Sequence, residues 1–126
     1  MRYKRFRFRE FPVYVTARHF IVSTKKLSSL RFPKVEQFAL TSQLGRALDS
    51  IVLNIAEGAD RGTDKDFAHF LNIANTSLNE VVACVDIALD CGYVSDTEHT
   101  KVLESANMLA GHLTAFRKSL LLRPTK

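Results

Sequence analysis

Cysteine is scarce in this 126-residue chain, which has only Cys84 and Cys91. Seven residues apart in a helical register, their Cα atoms stand about 10.5 Å apart, beyond the roughly 7 Å that a disulfide spans. A disulfide scaffold is excluded, and the two read as small core or interface hydrophobes. No histidine sits at a helical spacing from either, which argues against an activated thiol. No apolar run reaches 18 residues, so no membrane-spanning helix is expected. The basic N-terminus never develops the apolar stretch and small-residue cleavage site of a signal peptide, and a cytoplasmic location is expected. Glycine and proline, at five and three, are too few for a low-complexity chain, while 46% hydrophobic and 25% charged residues match an ordinary globular domain. Period-2 alternation is missing beyond the first eleven residues, which excludes a β-fold. Missing too are a Gly-rich phosphate loop, a zinc-type cysteine pattern and a nucleophile elbow. The Asn75-Thr76-Ser77 sequon falls in a predicted helix of a cytoplasmic chain and is a chance match.

What is present is helical periodicity. Val13, Ala17, Phe20, Ile21, Thr24 and Leu27 recur near 3.6 residues and predict a first helix from Phe11 to about Leu27, with Pro12 at its first position. Ser28-Ser29 and Pro33 are expected to break it. The strongest stripe, Leu40, Leu44, Ala47, Leu48, Ile51, Val52, Ile55 and Ala56, predicts a second helix, closed at Gly58 by a left-handed residue. Thr63 with Asp66 opens a third helix, which runs through Phe67, Leu71, Ala74, Leu78, Val81 and Val85 to Gly92. Its apolar surface is wide enough to be covered on more than one side. Ser95 with Glu98 forms a capping box for a fourth helix carrying Val102, Ala106, Leu109, Leu113, Phe116 and Leu120, with Pro124 as its stop. Short links make consecutive helices antiparallel neighbours. The expected fold is all-α: an antiparallel up-down-up-down four-helix bundle over residues 10–122, with a basic aromatic arm at 1–9 and a basic tail at 123–126.

The net charge of +5 belongs to the ends. Residues 1–9 carry five positive charges and no negative ones, residues 10–122 carry eleven positive against thirteen negative, and 123–126 add two positives. In the arm, Arg2, Lys4, Arg5, Arg7 and Arg9 interleave with Tyr3, Phe6 and Phe8. This pattern suits phosphate pairing with base stacking on nucleic acid, and equally a short extended segment whose Phe6 and Phe8 cover one end of the bundle, or an acidic protein partner. Within the second helix, Asn54 and Glu57 share a face beside the apolar stripe. Arg61 is placed to fold back on Glu57, and Asn54 to bridge toward Ser77 or Glu80 of the third helix. This set reads as a structural polar network at the corner between helices 2 and 3, or alternatively as ligand contacts through Glu57 and Arg61.

A di-metal bundle requires Glu-x-x-His motifs that converge. The nearest matches, Asp66-x-x-His69 and Asp96-x-x-His99, open antiparallel helices and lie at opposite ends. No metal, cofactor or catalytic residue is expected.

Three segments carry a resemblance. They are Phe32-Pro33-x-x-Glu36-x-Phe38-x-Leu40-Thr41-Ser42-Gln43-Leu44, then Ser50-Ile51-x-x-Asn54-Ile55-Ala56-Glu57-Gly58-x-x-Arg61, then Phe67-x-x-Phe70-Leu71-x-x-Ala74-x-x-Ser77-Leu78-x-Glu80. Together they resemble the four-helix-bundle protein family associated with intervening sequences in 23S ribosomal RNA genes, over about residues 10 to 121. The resemblance implies an antiparallel bundle that assembles as a homopentameric ring. More distantly the chain is similar to a basic pentameric accessory protein of diversity-generating retroelements, which implies an RNA or DNA partner. Gly45 departs from the family, which usually has a basic residue there, and Thr76 stands where glycine is common. Two functions follow as expectations: a non-enzymatic, oligomeric, nucleic-acid-associated accessory protein, or a homo-oligomeric scaffold for a protein partner without nucleic acid.

Overall fold

The computed structural model describes residues 4–124. A first 3₁₀ segment spans Lys4–Glu10, followed by α1 (Pro12–Arg31), a second 3₁₀ segment (Lys34–Glu36), α2 (Leu40–Ala59), α3 (Asp64–Asp90) and α4 (Asp96–Leu121). The helices form a ring of neighbours in which α2 packs on α3, α3 on α4, and α1 closes the bundle against α2 and α4. Short links between consecutive packed helices reverse the chain direction each time, and cross-helix bonds join them at matching levels: Lys25 to Asp49, Ser50 to Ser77, Asn75 to Thr114, and Arg31 to Glu98. Every adjacent pair is antiparallel, so the expected up-down-up-down bundle is the fold.

The largest fully buried side chains are Leu44, Leu48, Ile51 and Ile55 of α2, Leu71, Val81 and Val85 of α3, and Leu109 and Leu113 of α4. Each removes apolar surface worth about 1.5–3 kcal/mol from water. α1 contributes Ala17 and Phe20 but none of those nine. Much of the wide apolar face of α3 is covered by α2 and α4, while Ile87 stays 50% exposed. The large apolar side chains most exposed to solvent lie elsewhere, at the corner between α1 and α2, where Val35 is 83% and Phe38 is 90% exposed.

Helix ends follow local chemistry, with three departures from expectation. Ser95 accepts from the Glu98 N–H at 3.1 Å and Glu98 accepts from the Ser95 N–H at 2.9 Å, completing the capping box of α4. Thr63 likewise caps α3 by accepting from the Asp66 N–H. Gly92, with φ +77°, is the one positive-φ residue among those described and turns the chain after α3. The first departure is that α1 runs through Ser28-Ser29 to Arg31. The Ser28 hydroxyl bonds the Lys25 carbonyl of its own helix, so it does not compete for a turn. The helix ends only where Pro33 forces Phe32 into an extended conformation. The second concerns Gly58, which lies inside α2 and does not terminate it. A Cβ there would stand 2.7 Å from the Phe70 Cβ and 2.8 Å from Phe67 Cδ1, so the missing side chain lets α2 and α3 approach closely. The third is the arm, which is not extended. It coils into 3₁₀ turns kinked at Phe6, where φ is −111° and ψ 38°.

The far corner is clasped by one carboxylate. Glu36 accepts from the Leu40 N–H at the start of α2 and from the Tyr93 hydroxyl at 2.7 Å, while the Tyr93 ring packs on Phe32. The hydrogen bond to Glu36, then desolvation, then the carboxylate charge push the phenol up to about 12. The neutral phenol is the form that the fold holds. Its contribution is therefore intact below the ordinary tyrosine value near 10 and disappears as pH rises through about 12. Wild type is expected to be more stable than Tyr93→Phe below about pH 10, and the gap in urea midpoint is expected to close between about pH 10 and 12.

Candidate nucleic-acid interface

Antiparallel alternation places the start of α1, the end of α2, the start of α3 and the end of α4 at one end of the bundle. The arm joins them there. Arg2 and Tyr3 lie outside the described residues, and Lys4 begins the first 3₁₀ segment. Arg5, Phe6, Arg7 and Arg9 are exposed, whereas Phe8 is half-buried and meets the Tyr14 ring edge-on at 5.1 Å. The arm thus divides its labour: Phe8 anchors it to α1, and the arginines face water.

Two concavities at this end border the arm. One, of about 800 Å³, is floored by Phe11, Phe67 and Phe116 and bordered by Arg7, Arg61 and Arg123. The three rings hold one another, with Phe116 edge-on to Phe67 at 5.2 Å and to Phe11 at 5.6 Å. The other, of about 970 Å³, runs between the arm and α2 and is lined by Arg5, Phe6, Arg7 and Phe8 opposite Leu53 and Glu57. Arg9 lines neither. Arg123 stands 3.6 Å from Asp64, too far for a hydrogen bond. Arg61 is better fixed: it donates to Glu57 Oε1 at 2.6 Å and lies over the Phe70 ring at 4.6 Å.

The sequence places Arg61 in a structural network and Arg123 in a tail, and gives no sign that they meet the arm. Topology brings them together, since an up-down-up-down bundle returns both chain ends and the turn between helices 2 and 3 to one end.

The polar set of α2 and α3 splits into separate contacts. Asn54 does not cross to α3 by itself; its amide donates to the Ser50 carbonyl at 2.7 Å and to the Ser50 hydroxyl at 3.0 Å. Ser50 then meets the buried Ser77 at 2.7 Å. Glu80 is reached by Gln43 at 3.4 Å, not by Asn54, because it lies nearly one turn further along α3 toward the opposite end. Glu57 and Arg61 form their own pair, 57% and 44% exposed. Solvent screens such a pair, so Glu57→Ala is expected to cost no more than about 0.5 kcal/mol. Ser77→Ala leaves Ser50 without its buried partner and is expected to cost about 1 kcal/mol. Urea unfolding of both variants measures the difference.

The histidine motifs are at opposite ends, as their helix positions require. His69 meets Phe70 near the start of α3, and His99 bonds Asp86 at 2.7 Å near the start of α4. Among the described residues no three His, Cys, Asp or Glu side chains are grouped to hold a metal. Cys84 is buried, which raises its thiol above the ordinary range, with the nearby charge of Glu80 adding to the effect; Cys91 is exposed, and both are free. Among the described residues no helix is long and apolar enough to cross a membrane.

Comparison with known proteins agrees with the fold. No curated protein matches the chain. A crystal structure of a protein with unknown function from the S23 ribosomal protein family of Bacteroides thetaiotaomicron superposes with a TM-score of 0.72. It is 22% identical, and the match covers 84% of this chain and 98% of that one. At that identity the likeness concerns the fold. The family model for the 23S rRNA-intervening sequence proteins matches residues 9–115, nearly the whole bundle and all three segments that carry the resemblance, and the chain belongs to that family.

Proposed function

We propose that this chain is a non-enzymatic, oligomeric accessory protein that holds RNA or DNA by the arm end of its bundle without reading sequence. The observation that carries the proposal is the convergence of Arg7, Arg61 and Arg123, from three distant parts of the chain, around one aromatic-floored concavity. Guanidinium groups neutralise phosphates and release counterions whatever the base sequence. Exposed Phe6 adds a ring on which an unpaired base can stack. A ring of five copies, as the family resemblance implies, gathers these ends and makes successive contacts intramolecular. The protein acts in the cytoplasm on this reading.

The test is a titration of single-stranded and duplex RNA and DNA with the full chain across a salt series. The expected result is retention that falls steeply with salt and favours single strands. No retention even at low salt overturns the proposal. Sedimentation velocity is expected to give a closed homo-oligomer, and a monomer of 14.2 kDa alone overturns the assembly.

A protein-interaction scaffold is the second reading. Exposed Val35 and Phe38 favour it, since aromatic anchors held in an ordered turn are what protein interfaces use. Retention of protein partners by a chain that binds no nucleic acid decides for it.

A further inference from the structure

We propose that the 800 Å³ cleft at the arm end is a pocket for a single nucleotide, its base on the Phe11, Phe67 and Phe116 floor and its phosphate held by Arg7, Arg61 and Arg123. The choice of ligand rests on the nucleic-acid reading above, but the claim concerns different chemistry. Pairing of a phosphate backbone with an arm needs no cavity at all. Here a cavity exists, within the size range of small-molecule sites, and its apolar and cationic parts are segregated. Phe67 is buried and Phe11 and Phe116 are half-buried, while the three arginines are exposed at the border.

The ligand that matches has a flat apolar ring joined to an anion. The floor presents ring surfaces already packed together, with Phe116 edge-on to Phe11 and Phe67 and those two near-parallel at 6.2 Å, so a base adds to an existing aromatic cluster without rearranging it. Arg61 lies over the Phe70 face at 4.6 Å and is bonded to Glu57, two weak contacts that bias its guanidinium toward the border of the cleft. One nitrogen is bonded to Glu57, and the remaining N–H groups are donors for a phosphate oxygen. Arg123 faces Asp64 at 3.6 Å, a pair loose enough to turn toward a stronger anion while still offsetting the carboxylate. Asp64 is the first residue of the 27-residue α3 and lines the same cleft; with Asp66 it already supplies negative charge to that helix N-terminus, so the phosphate is left to the arginines.

The nucleotide is either a residue of an unpaired strand or a free mononucleotide, and the test separates the two. Equilibrium dialysis and amide chemical shifts are to be followed with the full chain against uridine 5′-monophosphate, uridine, inorganic phosphate and decanoate, and against an oligouridylate and its abasic counterpart. The expected result is that the mononucleotide binds at least tenfold more tightly than uridine or phosphate, with shifts at His112 and Phe116. Arg7→Gln is expected to weaken mononucleotide binding about tenfold, one charge-assisted contact. Phe116→Leu is expected to weaken the mononucleotide but not inorganic phosphate. Should Phe116→Leu fail to fold, Arg7→Gln at its exposed position carries the test. Mononucleotide binding without strand binding supports the pocket and overturns the accessory reading. Equal binding of abasic and normal strands, with the mononucleotide unbound, overturns the pocket and leaves the accessory reading standing. Decanoate bound in preference to the nucleotide also overturns it.

Discussion

Gly58→Ala is expected to lose about 1–2 kcal/mol of stability in urea unfolding, and Gly58→Val about 3 kcal/mol, while Gly45→Ala is expected to gain up to about 1 kcal/mol. Both glycines are inside α2, where alanine is intrinsically better than glycine by about 1 kcal/mol, so propensity alone predicts a gain at either position. The difference is the neighbour. At Gly45 an added Cβ meets nothing within 4 Å, and the propensity gain is realised. At Gly58 it stands 2.7 Å from the Phe70 Cβ, an atom tied to the α3 backbone that cannot swing aside. Relief requires α2 and α3 to separate, which loosens the packing of Phe67 and Phe70 and costs about 2–3 kcal/mol, the upper part of the usual range for overpacking, before the propensity gain is subtracted. Branching at Cβ adds to the clash, which is why valine is worse than alanine. Equal stability of Gly58→Ala and wild type would refute the close-packing role.

Gly58 also shows how far the fold is legible in the sequence and where it is not. Stripes of long, regularly spaced apolar residues point to α2, α3 and α4 directly, because burial of Leu44, Leu48, Ile51 and Ile55 on one face permits only a helix. Capping residues mark the starts of α3 and α4, because Thr63 and Ser95 satisfy backbone donors within their own segments. A glycine near a helix end is different. It serves equally as a left-handed cap or as a gap for a neighbouring helix, and only the position of Phe67 and Phe70 distinguishes the two. The Ser28-Ser29 pair misleads for a similar reason, since a hydroxyl bonded back to its own helix is indistinguishable in sequence from one that opens a turn. The site is legible in part. The arm's charge stands out, whereas Arg61 and Arg123 are scattered singly and acquire their common location only from topology.

That common location sets the largest functional effect expected of this chain. Replacing Arg5, Arg7 and Arg9 by Gln is expected to weaken single-strand binding at low salt by a hundredfold or more and to flatten its salt dependence. Neutral side chains are preferable to truncation, because Phe8 packs on Tyr14 and removal of the arm would uncover that ring as well as remove charge. Each phosphate pairing removed reduces the logarithmic salt slope by about 0.7 on a single strand, so three pairings in one chain reduce it by about 2. In a closed ring the same substitutions repeat in every copy, and tethering multiplies their effect on affinity, since a copy that no longer grips the strand also lowers the effective concentration for the next. Arg61 and Arg123 remain in the variant and retain a residual, weaker attraction at the same end. The oligomeric mass and urea midpoint are expected to stay at wild-type values, as all three arginines are exposed. An unchanged salt slope with unchanged assembly would move the interface away from the arm. The exposed Val35 and Phe38 corner, at the opposite end of the bundle, would then be the surface through which the chain works.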